Sequence, residues 1–316
     1  MTLFLGVDGG QSSTRAVIGD DGGRVLASGA GGPVDHADAP GGADRLRRAL
    51  SDAVGAACAR LGLDPAETTF EAAFGGFTGG PEGKGGLMEE RIRARRFGVS
   101  DDSVTALTGA LAGEPGIVTV AGTGSICFGR NAAGDTARAG GWGYAFGDEG
   151  SAFDLTRRAL RAALRFEEGW GPPTALHGLL REALDVADIR LVQRRLYATE
   201  NTRRAVAALA PLVDRAALAG DAVAHGILLD AAANLARITR VVRGRLFEPE
   251  DAVAIAAVGG VFRCSILRAE FAAELTAPGR DRVIDPLHEP AVGALIEGYR
   301  LAGLEVTVQA GAGEGA

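Results

Sequence analysis

The sequence predicts an α/β protein made of two related halves, and three observations carry that prediction. Apolar, strand-like runs alternate with segments of helical periodicity. A pattern of strand, glycine-rich turn and strand occurs twice, over residues 5–18 and again over 118–128. The chain's 316 residues are enough for one large or two ordinary domains.

Taken in order, the first thirty residues are strands. Leu3-Phe4-Leu5-Gly6-Val7 is an apolar run ending at Asp8-Gly9-Gly10, and residues 15–18 and 24–27 flank the turn Asp20-Asp21-Gly22-Gly23, giving a hairpin. Beyond a loop rich in Gly, Pro and Asp over 29–42, the positions Leu46, Leu50, Val54, Cys58 and Leu61 recur at helical spacing up to Gly62. Residues 70–74 read as a strand, 75–80 as a loop, and the charged stretch around 89–96 as a helix. Val99-Ser100-Asp101-Asp102 closes a short strand, a helix is expected over about 103–112, and 117–121 is an apolar strand. From Ser151 to about Leu246 the pattern is helical, broken at Gly171-Pro172-Pro173 and Ala219-Gly220-Asp221. Ser151 with Asp154 three residues on reads as a capping box. Residues 252–258 form a buried strand ending in Gly259-Gly260, with helices expected near 265–275 and 290–301, and the small residues from about 309 onward are expected to lack fixed structure.

Composition removes several function classes. Hydrophobic residues make up 47% and charged residues 23%, which is a globular balance. No run of 18 apolar residues occurs and Asp8 interrupts the first strand early, so neither a membrane span nor a secretory signal is expected and the protein is placed in the cytoplasm. A net charge of -7 argues against nucleic acid as the main partner, since that surface is usually basic. Cys58, Cys127 and Cys264 are odd in number and far apart, which fits reduced, buried thiols, and four scattered histidines offer no metal cluster. Lys84 is the single lysine. It lies in Thr78-Gly79-Gly80-Pro81-Glu82-Gly83-Lys84-Gly85, which lacks both the first glycine and the hydroxyl of a P-loop, so Walker-type phosphate binding is out.

What remains for phosphate is the backbone. Two glycine-rich hairpin turns, one from each half and facing each other across a cleft, could present clustered N–H groups and hydroxyls to a polyphosphate without any lysine. Asp8, at the end of a buried strand, could meet Mg²⁺ through water. Asp102 could deprotonate a sugar hydroxyl as it attacks phosphorus, with a helix cap as its structural alternative and Asp101 as competitor for the catalytic part. The segment 140–153 holds a tryptophan and two acids among five glycines, a composition suited to a carbohydrate, and Gly259-Gly260 could let an adenine approach the backbone.

Together Asp8-Gly9-Gly10-Gln11-Ser12-Ser13-Thr14, Asp101-Asp102, Ala121-Gly122-Thr123-Gly124-Ser125, Gly141-Trp142-Gly143-Tyr144-Ala145-Phe146-Gly147-Asp148-Glu149-Gly150-Ser151 and Gly259-Gly260-Val261-Phe262 resemble the N-acetylglucosamine kinase branch of the BadF/BadG/BcrA/BcrD ATPase family. The resemblance implies the fold of the sugar kinase, Hsp70 and actin superfamily: two ribonuclease-H-like (actin-like ATPase) domains around an ATP and sugar cleft. The first is expected over 1–119, completed by a C-terminal helix at about 288–305, the second with a helical insertion over 120–287, and 306–316 as a tail. It implies ATP and Mg²⁺ as cofactors and an amino sugar as the small-molecule partner, with a homodimer suggested. By the same resemblance Asp8 to Thr14, that is Asp8, Gly9, Gly10, Gln11, Ser12, Ser13 and Thr14, form the first phosphate motif. Gly122, Thr123 and Gly124 form the second, and Gly259, Gly260 and Ala205 lie at the adenosine. Asp102 is the implied base. Asp35, His36, Ser125, Gly141, Trp142, Gly143 and Asp148 fall on sugar-binding positions. Two departures stand out: Asp35 replaces the usual asparagine, which changes the hydrogen bonds on offer, and Ser13 stands where many relatives carry lysine. The alternatives are an activator of radical dehydratases, which would need a cysteine where Ala121 stands, and a sugar-sensing repressor, which would need a DNA-binding module.

Overall fold

A computed structural model describes residues 1–34, 37, 39–198, 202–276 and 280–309. The chain divides into two compact units, Met1–Pro115 with Asp285–Ala316, and Gly116–Ile284. In chain order the first unit contains β1 (Leu3–Gly9), β2 (Thr14–Asp20), β3 (Val25–Gly31), α1 (Gly42–Arg60), β4 (Thr69–Phe70), β5 (Ala72–Phe77), α2 (Lys84–Glu89), β6 (Arg93–Ala94), β7 (Phe97–Asp101) and α3 (Asp102–Ala110). The second contains β8 (Gly116–Ala121), β9 (Ser125–Arg130), β10 (Thr136–Gly140), α4 (Ala152–Glu167), α5 (Leu176–Leu184), α6 (Val192–Tyr197), α7 (Thr202–Ala207), α8 (Pro211–Leu218), α9 (Ala222–Leu246), β11 (Ala254–Val258), α10 (Ser265–Thr276) and β12 (Arg282–Ile284). The chain then returns to the first unit with α11 (Pro290–Leu301).

The first unit's main sheet has the order β3-β2-β1-β5-β7, with β1, β2 and β3 antiparallel and β5 and β7 parallel to β1. The second unit's sheet has the order β10-β9-β8-β11-β12, with the same directions in the same places. The repeat visible in the sequence as one strand, turn and strand is therefore the visible part of a whole duplicated sheet.

In the first unit, side chains alternate between two cores, as the two-residue period of a strand requires. Leu5, Ala16, Ile18 and Ala73 join the core beneath α1, built on Leu46, Leu50 and Val54. Their neighbours Phe4, Val17 and Ala72 join the core beneath α11, built on Val292, Leu295 and Tyr299. With helices on both faces the central strands read as unbroken apolar runs, which is why they were legible. The segment before α11 is tied to the end of α3, since the amides of Leu287 and His288 donate to the carbonyls of Ala110 and Gly109. The second unit has one large core running through α4 to α10.

One expectation needs correction, and two strands had not been expected. The charged stretch 89–96 is not a helix: the helix lies earlier, over Lys84–Glu89, and the chain then turns into β6, which pairs with β4. Gly83 begins that helix in a left-handed conformation, and Leu87, Met88 and Ile92 are buried, so burial rather than charge patterning sets its position. Neither edge strand was expected: in β10, Thr136-Ala137-Arg138-Ala139-Gly140 has little β-branched or aromatic character, and β12 is only three residues long, Arg282–Ile284. The three cysteines are free and buried, as expected. Among the described residues no single helix is long and apolar enough to cross a membrane.

Candidate active site

In the first unit the candidate residues collect at one edge of the sheet because β1, β5 and β7 run parallel and end together. Asp8 pairs in register with Gly76, and Phe77 with Asp101. Asp8, Thr78 and Asp102 thus leave the carboxyl ends of three adjacent strands, where α/β sheets characteristically meet ligands. The start of α3 separates the two neighbouring aspartates. Asp101 is extended (φ −66°, ψ 147°) and accepts a hydrogen bond from the Ser103 amide at 3.0 Å, so it is the helix cap. Asp102, one residue on, is released from that task and stands beside Thr78, whose side chain favours its ionised form. Burial first, then the charges of Asp101 and Asp8 and a hydrogen bond shared with Asp101, push its carboxyl up to about 8.

Asp8 retains some solvent contact but is hemmed in by protein. Burial pushes its carboxyl up to about 7, opposed by a hydrogen bond from Thr105 and reinforced by the charge of Glu289. Thr105 Oγ1 donates to Asp8 Oδ1 at 3.1 Å from one turn into α3. Gly76 makes room for that contact, since a Cβ there would stand 2.3 Å from Thr105 Oγ1. The β1–β2 turn is closed by the Gly10 amide on the Ser13 carbonyl at 2.9 Å. Thr14 turns inward and its hydroxyl donates to the Gly32 carbonyl at 2.8 Å, leaving Ser12 and Ser13 exposed at the tip.

The second unit repeats this arrangement with glycine and hydroxyl groups in place of acids. β8 and β11 are parallel neighbours with Val120 opposite Val258, so the turns that follow them lie side by side. Gly259 has φ +110°, and a Cβ on it would stand 2.4 Å from the Ala121 carbonyl oxygen; only glycine fits both constraints. The β8–β9 turn is closed by the Gly122 amide on the Gly124 carbonyl at 2.9 Å. Ser125 then locks the turn to the 141–150 loop: its amide donates to Asp148 Oδ1 at 3.3 Å, its hydroxyl to the Glu149 carbonyl at 2.8 Å, and its carbonyl accepts from the Gly141 amide at 2.9 Å.

Asp148 is 3% exposed and adopts φ +61°, a left-handed conformation uncommon outside glycine and typical of functional loops. Its Oδ2 takes a 2.7 Å ion pair from Arg203 Nη2. Burial raises the Asp148 carboxyl pKa, while the Ser125 amide and Arg203 oppose the rise. Trp142, in the same loop, is 71% exposed, with the Arg138 guanidinium 5.4 Å above its ring. Ser151 caps α4 by accepting from the Asp154 amide, and Asp154 accepts in turn from the Gly150 amide, which closes the loop.

A profile of the BadF/BadG/BcrA/BcrD ATPase family matches residues 5–298. The chain belongs to that family. A relative from Clostridium acetobutylicum, named N-acetylmuramic acid/N-acetylglucosamine kinase, is 30% identical over 303 residues, covering 94% of this chain and 98% of its own. A solved structure of a provisionally assigned N-acetylglucosamine kinase from Chromobacterium violaceum superposes with a TM-score of 0.77 at 27% identity, covering 96% of this chain and 99% of that one. A glucokinase of the ROK family from Streptomyces griseus shares the fold, with a TM-score of 0.56 at 19% identity over 94% of this chain and 99% of that one. The fold is that of the actin-like sugar kinases, with one ribonuclease-H-like sheet in each unit.

For this BadF/BadG/BcrA/BcrD member the sequence motifs fall into two local groups. Asp8 to Thr14 lie with Asp102 in the first unit, and Gly122 to Ser125 with Gly141 to Asp148 and Gly259-Gly260 in the second. Asp35 and His36 lie outside the described residues. Ala205 is on α7 and packs against the second core, while Arg203 of the same helix reaches Asp148. Sequence reasoning missed Thr105 and Arg203 and gave Thr78 no role. Thr78 lies in the expected 75–80 loop and precedes two glycines, which was a usable signal; Arg203 had none among so many arginines. Cys127 is fully buried, its thiol pushed up to about 12 by burial, with the Thr119 hydroxyl 3.6 Å away. It is a neutral packed thiol, unlike the exposed, thiolate-forming cysteine that a cluster ligand requires.

Proposed function

We propose that the chain transfers the γ-phosphoryl group of ATP to the 6-hydroxyl of an amino sugar, with N-acetylglucosamine or glucosamine as the expected acceptors and Asp102 as general base. An ATP-dependent sugar kinase is what membership of this ATPase family and the kinase names of its relatives support. The observation that carries the assignment of the base is the division of labour at the start of α3: Asp101 caps the helix, which leaves the Asp102 carboxylate available beside Thr78 and Asp8.

In the proposed step Asp102 takes the proton of the sugar hydroxyl. The oxygen forms a bond to the γ-phosphorus, and the bond from that phosphorus to the β–γ bridging oxygen breaks to leave ADP. Amides of the β1–β2 and β8–β9 turns are suited to hold phosphate oxygens. Gly259, Gly260 and Ala205 are assigned to adenosine, and Asp148, Gly141, Trp142 and Gly143 to the sugar, with Asp35 and His36.

Among the described residues no group of three or more His, Cys, Asp or Glu is placed to hold a metal. The two crowded carboxyls Asp8 and Asp102, hard oxygen donors whose pKa values are raised, nevertheless fit a magnesium ion that keeps its waters, with Asp8 as the residue holding it. Bound there, Mg²⁺ would neutralise charge on the phosphates. A proton-donating hydroxyl at Asp102 favours the ionised carboxylate and brings its pKa down from about 8 towards the working range of a base.

A coupled ADP-release assay across N-acetylglucosamine, glucosamine, N-acetylmuramic acid, N-acetylmannosamine and glucose tests the reading. Sugar-dependent turnover of an amino sugar is expected, and Asp102→Asn should lower it by several orders of magnitude while leaving the fold intact. Wild-type rates in that variant would overturn the assignment of the base.

A further inference from the structure

One buried cation in the first unit takes no part in the proposed chemistry. Lys84, the first residue of α2, is the single lysine among 33 basic residues and is 0% exposed. Its Nζ donates to the carbonyl of Thr78 at 2.6 Å and to that of Gly80 at 2.7 Å. A buried ammonium is costly unless it is held by hydrogen bonds. Its compact tetrahedral head suits carbonyls that converge from a curved loop, whereas a planar guanidinium is larger and spreads its donors in one plane. Every other basic position in this chain is arginine, so the one place that keeps lysine is the one where that geometry is needed.

The loop it grips joins two of the strand ends that carry the candidate carboxylates. The Thr78 amide donates to the Gly9 carbonyl at 2.9 Å, next to Asp8, and the Thr78 side chain stands beside Asp102, where it favours the ionised carboxyl. The loop then passes through Gly79 and Gly80 at φ +76° and +83°, and the Gly80 amide returns to the Phe77 carbonyl at 3.2 Å. Lys84 therefore holds by direct hydrogen bonds the backbone of Thr78 and Gly80, and Thr78 stands beside the Asp102 carboxyl.

We propose that Lys84 is a positioning residue: it holds the Thr78–Gly80 loop in the shape from which the Thr78 hydroxyl orients Asp102 for proton abstraction. This rests on the reading of Asp102 as the base. Its consequence is a loss in turnover rather than in nucleotide binding, because the loop acts on the base.

The test compares wild type, Lys84→Met, Thr78→Val and the double variant in the sugar-dependent ADP-release assay, with Lys84→Gln as a milder neutral replacement should methionine prevent folding. Displacing a reacting group by about 1 Å can cost up to about 100-fold in rate. Lys84→Met or Lys84→Gln is expected to lower kcat by about 10- to 100-fold with the KM for ATP within about twofold. Thr78→Val is expected to do the same, and the double variant to be no worse than the weaker single, because both changes act on Asp102 through Thr78. A Lys84 variant with wild-type kcat and only a lower melting temperature makes the lysine a structural tie and overturns the proposal, as do losses that multiply in the double variant. Inactive wild type, or full activity in Asp102→Asn, instead removes the kinase reading and the role of Lys84 with it. Wild-type kcat in the Lys84 variant beside an inactive Asp102→Asn removes the role of Lys84 alone.

Discussion

Replacing Asp8 by asparagine isolates what its charge costs the fold. Burial holds this carboxyl at about 7, against an ordinary value of 3.8. The folded chain therefore binds a proton at Asp8 more tightly than the unfolded chain does. The stability this contributes is complete below about pH 4 and is lost as the pH rises to about 7, beyond which the loss is flat. At about 1.36 kcal/mol per pH unit, the interval from about pH 5.5 to 7 removes about 2 kcal/mol, reduced to about 1–2 kcal/mol by the solvent that Asp8 still meets. Asparagine keeps a carbonyl for the Thr105 hydroxyl and never ionises. Urea unfolding of both proteins at about pH 5.5, 6.5, 7.5 and 8.5 is expected to show the variant gaining about 1–2 kcal/mol on wild type, all of it by about pH 7.5. A stability difference that stays constant over that range would mean Asp8 ionises normally in the folded chain, and the argument for crowded charge at the strand ends would fall.

Three further outcomes follow. Asp101→Ala removes the cap of α3 and should cost about 1 kcal/mol of stability, with Asp101→Asn close to neutral, and neither should approach the activity loss of Asp102→Asn; equal losses at 101 and 102 would void the division of roles. Arg203→Gln leaves a buried carboxylate with a weaker partner, so a stability loss of about 2 kcal/mol and a raised sugar KM are expected, measured by denaturation and by sugar titration at saturating ATP; an unchanged sugar KM would show that Asp148 does not depend on the pair. Asp35→Asn exchanges an acceptor for a group that also donates, and the ratio of kcat/KM for N-acetylglucosamine to glucosamine should shift towards the acetylated sugar. An identical ratio in both proteins would free Asp35 of any part in specificity.

The central strands and most of the long helices were legible in the sequence because the strands are buried on both faces and the helices keep a regular apolar stripe. Pro290–Leu301, for example, carries proline at its start and buries Val292, Leu295 and Ile296 at helical spacing. The duplicated hairpin was legible because its turns need glycine. What failed was local: the charges of Glu89, Glu90 and Arg91 suggested a solvated helix, but that helix is placed by the burial of Leu87 and Met88 several residues earlier. The choice between Asp101 and Asp102 was open because capping preference is equal for two adjacent aspartates, and only the extended backbone at Asp101 decides which of them caps. Thr105 and Arg203 were out of reach for a different reason. Each is defined by a partner far along the chain, Asp8 and Asp148, and such pairings leave no spacing to read.

The isolation of Lys84 also gives the protein a property useful at the bench. With its one lysine fully enclosed, the folded surface offers no ε-amine to an acylating reagent. Modification at Lys84, followed by mass spectrometry, therefore counts the moments when this part of the first unit opens, at a single chemically distinct atom. The drop in that labelling rate as nucleotide or sugar is added would report how firmly each ligand quiets the loop, without dye, tag or engineered cysteine.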